Sequence, residues 1–136
     1  MFKNNKSVAY ALMRLALGLN IFGHGFFRIL SGVGAFADGA IQGMDKGPMP
    51  HGLSYAFLLA TPFIELTIGL LLIAGFFTRL ALVAGSLFMI ALTFGTTSTQ
   101  NWNGAGTQLV YSFVFFAMLW TVDANTLSVD GVRGNV

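Results

Sequence analysis

The chain has 136 residues, of which 55% are hydrophobic and only 9% are charged, whereas a soluble domain carries about 25% charged residues. This composition predicts an integral membrane protein. Four predicted spans use most of the chain, so we expect a single domain, 1–136, and no room for a soluble catalytic domain. The net charge of +2 comes from scattered basic residues, which excludes a nucleic-acid-binding surface. The chain has no cysteine, which excludes disulfides, thiolate-bound zinc and cysteine-held iron–sulfur clusters.

The first of four predicted spans covers about 8–30 and is polar on one face. Arg14, His24 and Arg28 fall within about a third of the helix circumference, so we expect this face to point into a bundle. His24 is interpreted either as a neutral imidazole bonded to Asn20 or a backbone carbonyl, or as a proton donor or ligand contact. Metal ligation is a weaker alternative, and we do not expect haem.

A glycine- and proline-rich connection, 31–52, follows the first span. Its composition predicts an irregular loop that contains one short amphipathic helix, Phe36–Met44, on the membrane surface. His51, at the end of the loop, is expected to be a solvated surface histidine. Long loops in compact proteins are often functional, and a lid is one such case.

The second predicted span, 53–77, places Glu65 inside a long apolar run. A charged carboxylate near the middle of a bilayer costs about 2.5 kcal/mol or more, so Glu65 should face protein, water or a partner. The first span enters the membrane from the side opposite to the second span, and the Arg14 side chain is long enough to extend towards Glu65. We therefore predict an Arg14–Glu65 ion pair. Glu65 is expected to act on a ligand or proton, or else only to hold helices together. Gly69, one turn further on, leaves room for a second helix to approach closely.

The third and fourth predicted spans cover 80–97 and 107–122, which completes an all-α four-helix bundle. The third span has no ionisable group and is expected to be scaffold. In the fourth span, Gln108 and Tyr111 enter at the predicted depth of His24, which indicates a polar cluster under the outer surface. The remaining tail is expected to be a short extension, either ordered or frayed.

Basic residues predict the orientation of the chain. Lys3, Lys6, Arg79 and Arg133 fall on one side of the four spans, and only Lys46 clearly falls on the other. Because basic segments stay in the cytoplasm, we expect both termini to be cytoplasmic and the long first loop to be extracytoplasmic.

Three stretches of the sequence resemble the DoxX family. They are Arg14-Leu-Ala-Leu-Gly18 with Gly23-His24-Gly25 and Arg28, then Glu65 and Gly69 with Gly75-Phe-Phe-Thr78-Arg79, and finally Leu127-Ser-Val-Asp130. Arg28 stands where a lysine is more common in this family, which keeps the charge but changes the donor geometry. The glycine- and proline-rich first loop is closer to the DoxD-like branch, the membrane subunit of thiosulfate:quinone oxidoreductases.

The resemblance implies a four-helix protein of the prokaryotic inner membrane that passes electrons from a reduced sulfur compound such as thiosulfate to the quinone pool. It carries over four matching polar positions, Arg14, His24, Glu65 and Arg79. In this family the sulfur chemistry is shared with a second subunit, so the expected partners are the lipid bilayer, quinone and a second redox subunit or further copies of this chain.

The favoured hypothesis is therefore a quinone-interacting oxidoreductase subunit without a metal site. We expect three residues to relay protons or set the local field, namely His24, Glu65 and Arg14. Ligand contacts are expected from Arg28, Gln108, Tyr111 and Arg79. The walls of a flat quinone-binding slot are expected to be formed by the rings of Phe22, Phe26, Phe27 and Phe63. The alternatives are a non-enzymatic accessory or assembly subunit that docks a partner, and a small-solute or proton pathway along the three inner polar residues.

Overall fold

The computed structural model of the chain describes residues 5–135, and every regular element in that range is a helix. The α-helices are α1 Asn5–Leu30, α2 Val33–Met44, α3 His51–Ala74, α4 Thr78–Ser98, α5 Trp102–Trp120 and α6 Val129–Arg133, with a 3-10 turn at Val122–Ala124. The four long helices, α1, α3, α4 and α5, overlap the four predicted spans. Among the described helices, α3 and α4 are long and apolar enough to cross a membrane.

The most extensive contact joins α1 to α3, which run antiparallel. Small residues make this close approach feasible. A Cβ added at Gly25 would overlap the α3 backbone beside Glu65, and one added at Gly69 would overlap the backbone of Phe22. A Cβ at Gly18 would also be crowded, at 2.9 Å from a backbone nitrogen of α3. The expected role of Gly69 in close helix packing is therefore confirmed.

One apolar core lies between the four long helices. α4 and α5 meet where the fully buried ring of Phe115 packs against Gly85, a position at which any side chain would overlap the ring. The buried core residues are Tyr10, Leu17, Ile21, Ile68, Leu72, Ala81, Leu82, Phe88, Met89, Phe115, Met118 and Val122. Since each of the four long helices contributes at least two of these residues, the core holds the helices in one unit.

The outward faces of the long helices are apolar as well. Large hydrophobic side chains are exposed on all four of them, for example Leu19 on α1, Leu70 on α3, Leu87 on α4 and Phe113 on α5. Monomeric soluble proteins rarely expose contiguous apolar surface of this extent. The outer surface is therefore suited to contact with lipid.

Helix α2 occupies the connection between α1 and α3. It was expected at Phe36–Met44 and begins earlier, at Val33, directly after Gly32, whose φ of 97° favours glycine. Its buried residues, Ala37 and Ile41, pack against α3. The apolar face that was expected to lie on the membrane surface therefore packs on the protein itself.

Candidate functional site

The buried carboxylate of Glu65 is paired with Arg28. Both carboxylate oxygens accept hydrogen bonds from Arg28 Nη1, at 2.5 and 2.6 Å. The Glu65 side chain is only 6% exposed, whereas that of Arg28 is 30% exposed and reaches the protein surface. The prediction of an Arg14–Glu65 ion pair is therefore wrong, because Arg28, on the same helix as Arg14, is paired with the Glu65 carboxylate.

The register of α1 against α3 explains this difference. Gly25 lies against Glu65, so Arg28 is one turn from the carboxylate. Arg14 lies eleven residues before Gly25, which is about 16 Å along the helix and beyond the reach of a side chain. The sequence prediction relied on hydropathy and depth. The glycines at the α1–α3 contact were the signal that could have supplied the register.

Arg14 instead binds the C-terminal end of α3. It is buried, and its Nη1 donates to the carbonyl oxygens of Leu72 at 2.5 Å and Ile73 at 3.0 Å. Its Nη2 donates to the carbonyl oxygen of Leu127 at 3.0 Å. The last carbonyls of a helix have no partner within the helix. Arg14 donates to two of them, of which the Leu72 carbonyl also accepts from the Gly75 N–H, and it ties the tail to the bundle.

A second capping contact at the same end was missed by the sequence prediction. The two oxygens of the Asp130 carboxylate accept hydrogen bonds from the backbone N–H groups of Phe77, at 3.0 Å, and Thr78, at 2.7 Å, at the start of α4. The Asp130 N–H donates to the carbonyl of Gly75 at 2.9 Å, and the Asn125 side chain donates to the Thr78 hydroxyl at 2.9 Å. The tail is therefore ordered, and the resemblance at Asp130 corresponds to a helix cap.

The electrostatics of Asp130 agree with this role. Burial raises the pKa of its carboxyl, but the hydrogen bonds from Thr78 and Phe77 and the charge of Arg133 act in the opposite direction. The net result is a pKa below the ordinary value for aspartate. The folded state therefore favours the charged carboxylate, as expected for an acid at a helix N-terminus.

An open groove of about 680 Å³ lies on the other side of Arg28 from Glu65. We refer to it as the Arg28 groove, and it is lined by Leu19, Asn20, Gly23, His24, Phe27, Arg28, Ser31, Ala35 and Phe36. Three polar residues follow each other at intervals of one helical turn along α1, while two phenylalanines add aromatic surface. The groove thus combines hydrogen-bonding groups with flat apolar walls.

Free hydrogen-bond donors face this groove. The guanidinium of Arg28 lies over the ring of Phe36, 4.5 Å from its centroid. Its Nη1 is bonded to Glu65, but no described residue accepts a hydrogen bond from its Nη2 or Nε. The exposed imidazole of His24 likewise has no hydrogen-bond partner among residues 5–135. Since Phe36 was predicted to belong to an amphipathic helix on the membrane surface, its contact with Arg28 was not expected.

Of the other predicted site residues, one lies near the groove and two lie away from it. The Tyr111 hydroxyl donates to Asn20 Oδ1 at 2.7 Å, which joins α5 to one end of the groove. The Gln108 amide oxygen accepts from the Thr96 hydroxyl at 2.7 Å, between α4 and α5, and does not line the groove. Arg79 is exposed at the opposite end of the bundle, beside Asp130.

The predicted aromatic walls and the loop histidine also have definite positions. Of the phenylalanines expected to form walls, Phe27 lines the groove, whereas Phe22, Phe26 and Phe63 do not. His51 is exposed, with its Nδ1 2.9 Å from both carboxylate oxygens of Asp45. Within residues 5–135, no group of three or more histidine, cysteine, aspartate or glutamate side chains is arranged to hold a metal ion.

These features are those of a helical membrane protein with a partly buried ion pair beside an open groove of mixed polar and aromatic lining. The sequence model of the family described as DoxX matches residues 9–98, most of the chain, so the chain belongs to the DoxX family. The match includes Arg14, His24, Arg28 and Glu65, whereas Asp130 lies beyond it. Comparison with curated proteins and with solved structures gave no match.

Proposed function

We propose that this chain is the quinone-binding membrane subunit of an oxidoreductase that passes electrons from a reduced sulfur compound, such as thiosulfate, to the quinone pool. The observation that carries this proposal is that His24 and Arg28 line a groove shared with the rings of Phe27 and Phe36 and have donors that no residue within 5–135 uses. The two donors are four residues apart on α1, about 6 Å along the helix, a spacing similar to the width of a quinone ring. Flat apolar walls with a few placed donors are typical of such ligand sites.

The proposed placement in the membrane supports access from lipid. All four long helices would cross the bilayer, with both termini in the cytoplasm, as the distribution of basic residues favours. The Arg28 groove then lies in the extracytoplasmic half of the protein. Leu19 and Phe27, which line the groove, are exposed on the outer face of α1, so a lipid-soluble quinone can enter sideways from the bilayer.

Each residue of the groove has a distinct part in this proposal. A bound quinone accepts two electrons and two protons. Arg28 would donate a hydrogen bond to one quinone oxygen, while Glu65 and Phe36 fix the position of its guanidinium. His24 would hold or donate a proton, since imidazole exchanges protons near neutral pH. Because the chain has no cysteine for sulfur chemistry, a second subunit would oxidise the sulfur compound.

Quinone retained by the purified protein provides the first test. The chain is purified in mild detergent, its lipids are extracted, and quinone per chain is measured by mass spectrometry for wild type, His24→Ala and His51→Ala. His51 is the matched control, because it is an exposed histidine outside the groove. We expect quinone in wild type and His51→Ala and a loss of about tenfold in His24→Ala. Equal quinone content in all three proteins would contradict the proposal.

Thiosulfate-dependent reduction of a soluble quinone analogue then tests the electron donor. The assay is run in lipid nanodiscs with and without the candidate partner subunit, for wild type and Glu65→Gln. Reduction by wild type that the variant loses while it remains folded would support electron transfer through this groove. No reduction by wild type, even with the partner present, would contradict the thiosulfate part of the proposal.

An accessory or assembly subunit is a second candidate, and the ion pair itself favours it. The Arg28–Glu65 contact joins α1 to α3 and uses both carboxylate oxygens, so it can serve helix packing alone. In that case Glu65→Gln lowers stability, and the purified protein carries no quinone.

A proton pathway along Arg14, Glu65 and His24 has weaker support from the structure. Buried apolar residues lie between Arg14 and Glu65, namely Leu17, Ile21, Ile68 and Leu72. Such a pathway would require polar groups from elsewhere, such as another copy of the chain.

A further inference from the structure

A cleft of about 470 Å³ lies at the end of the bundle opposite the Arg28 groove, where the tail meets the start of α4. We refer to it as the Arg79 cleft. Arg79 and Arg133 both line it, together with three exposed apolar residues, Phe77, Leu80 and Val83. The proposed quinone site uses none of these residues.

The two arginines of this cleft are only partly neutralised by the nearby carboxylates of Asp130 and Asp123. Asp130 also lines the cleft, but both of its oxygens accept hydrogen bonds from the α4 backbone. Arg79 is 3.7 Å from Asp123, and the two side chains are 66% and 89% exposed, so water and salt screen this pair strongly. Among the described residues, no carboxylate lies within salt-bridge distance of Arg133, which stacks on Phe76 with 5.2 Å to the ring centroid.

The wall of the cleft leads from these charges onto an apolar surface. Leu80 and Val83 are nearly one turn apart on α4 and are both exposed, and Leu87 continues the same exposed face. A ligand that fits both parts therefore has an anionic head and an apolar chain. Guanidinium groups bind phosphate oxygens through paired hydrogen bonds, so the arginines suit a phosphate in particular.

We propose that the Arg79 cleft binds an anionic phospholipid, with the phosphate between Arg79 and Arg133 and an acyl chain along Leu80 and Val83. The inference rests on the membrane placement proposed above and is independent of quinone binding. In that placement the cleft lies at the cytoplasmic surface, where anionic lipids attract basic residues close to a transmembrane helix.

Native mass spectrometry with defined lipids tests this proposal. Wild type is reconstituted in nanodiscs with equal amounts of phosphatidylglycerol and phosphatidylcholine, released, and scored for bound lipid of each kind. The test variant is the double substitution Arg79→Gln and Arg133→Gln. Lys46→Gln is the matched control, because it removes one exposed positive charge from the loop between α2 and α3, outside the cleft. We expect wild type and the control to retain phosphatidylglycerol over phosphatidylcholine. In the double variant the ratio of bound phosphatidylglycerol to bound phosphatidylcholine should fall by about tenfold.

Three outcomes would overturn the proposal. One is equal retention of the two lipids by wild type, and another is an unchanged preference in the double variant. The third is displacement of the lipid by millimolar inorganic phosphate, which would show a site for free anions. If the double variant does not fold, Arg79→Gln alone is compared with Arg79→Lys, since lysine keeps the charge and should keep most of the preference. Quinone content measured on the same samples separates a failure here from a failure of the quinone proposal.

Discussion

Arg14 and Arg28 lie on the same helix and within the region that the DoxX family model matches, yet they have different surroundings. Arg14 is 3% exposed and donates only to backbone carbonyl oxygens. Arg28 has a side chain that is 30% exposed, is paired with a carboxylate and stacks on an aromatic ring beside an open groove. One arginine therefore completes the backbone hydrogen bonding of the fold, and the other lines an open groove with donors that no described residue uses.

A charged residue inside a helical bundle is therefore not by itself a sign of chemistry. Intramembrane charges are treated by default as functional sites. Arg14 meets that description from the sequence, but its hydrogen bonds go to the end of α3 and to the tail. What distinguishes Arg28 is its partial exposure together with donors that no residue within 5–135 accepts from. The neighbouring His24 side chain also has no hydrogen-bond partner in that range.

The largest effect on the free energy of unfolding is expected from substitution of Arg14. Arg14→Met removes three hydrogen bonds to carbonyl oxygens and should lower the free energy of unfolding by about 3 kcal/mol. The measurement is denaturant or thermal unfolding in detergent. Loss of quinone with unchanged stability would reverse the roles that we assign to the two arginines.

The α1–α3 register that places Arg28 beside Glu65 depends on Gly25. Gly25→Ala puts a Cβ onto the α3 backbone and should cost about 2 kcal/mol of unfolding free energy. Gly23→Ala is the control on the same helix, since no atom of the part of the chain that the structure describes lies within 4 Å of the Cβ it would add. Equal stability of the two variants would show that the helices are not packed as closely as described.

Removal of the carboxylate tests how much of the ion pair is structural. Glu65→Gln leaves the partly exposed Arg28 with a neutral partner and should cost about 1–2 kcal/mol of unfolding free energy. A double-mutant cycle with Arg28→Gln measures the coupling between the two side chains. Additive effects would mean that the ion pair is not formed in the membrane.

The smallest effect concerns how the contribution of Asp130 to the free energy of unfolding depends on pH. The pKa of Asp130 is lowered on folding, so its carboxylate stabilises the fold at neutral pH, and this contribution is lost as the pH falls through the folded-state pKa. Asp130→Asn should cost about 1 kcal/mol at neutral pH. The unfolding curves of wild type and variant should converge in acid, whereas a constant difference at every pH would exclude the capping role.

Much of the fold could be predicted from the sequence, because apolar run length determines where long helices occur. The predicted spans overlap α1, α3, α4 and α5, and the packing role of Gly69 was read from its position beside Glu65. The position of α2 was less predictable, since its apolar face fits a membrane surface or a neighbouring helix equally well. Contact with α3 decided between the two.

The candidate site was harder to predict because it depends on contacts between elements. Glu65 and His24 could be selected as polar residues within apolar runs, but the partner of Glu65 depended on helix register. Hydropathy cannot supply that register. The contact of Phe36 with Arg28 depends on the turn at Gly32, and the cap formed by Asp130 depends on the return of the tail to α4. Neither leaves a periodic signal in the sequence.

The affinity of the Arg28 groove for a quinone is the property on which the proposed function depends. A soluble quinone analogue is titrated into wild type, Arg28→Gln and Lys46→Gln in nanodiscs, and each Kd is measured with folding checked by thermal unfolding. We expect Arg28→Gln to weaken binding by about tenfold or more and Lys46→Gln to leave it unchanged. Equal affinity for all three proteins, or no binding by wild type, would contradict the assignment of this groove as a quinone site.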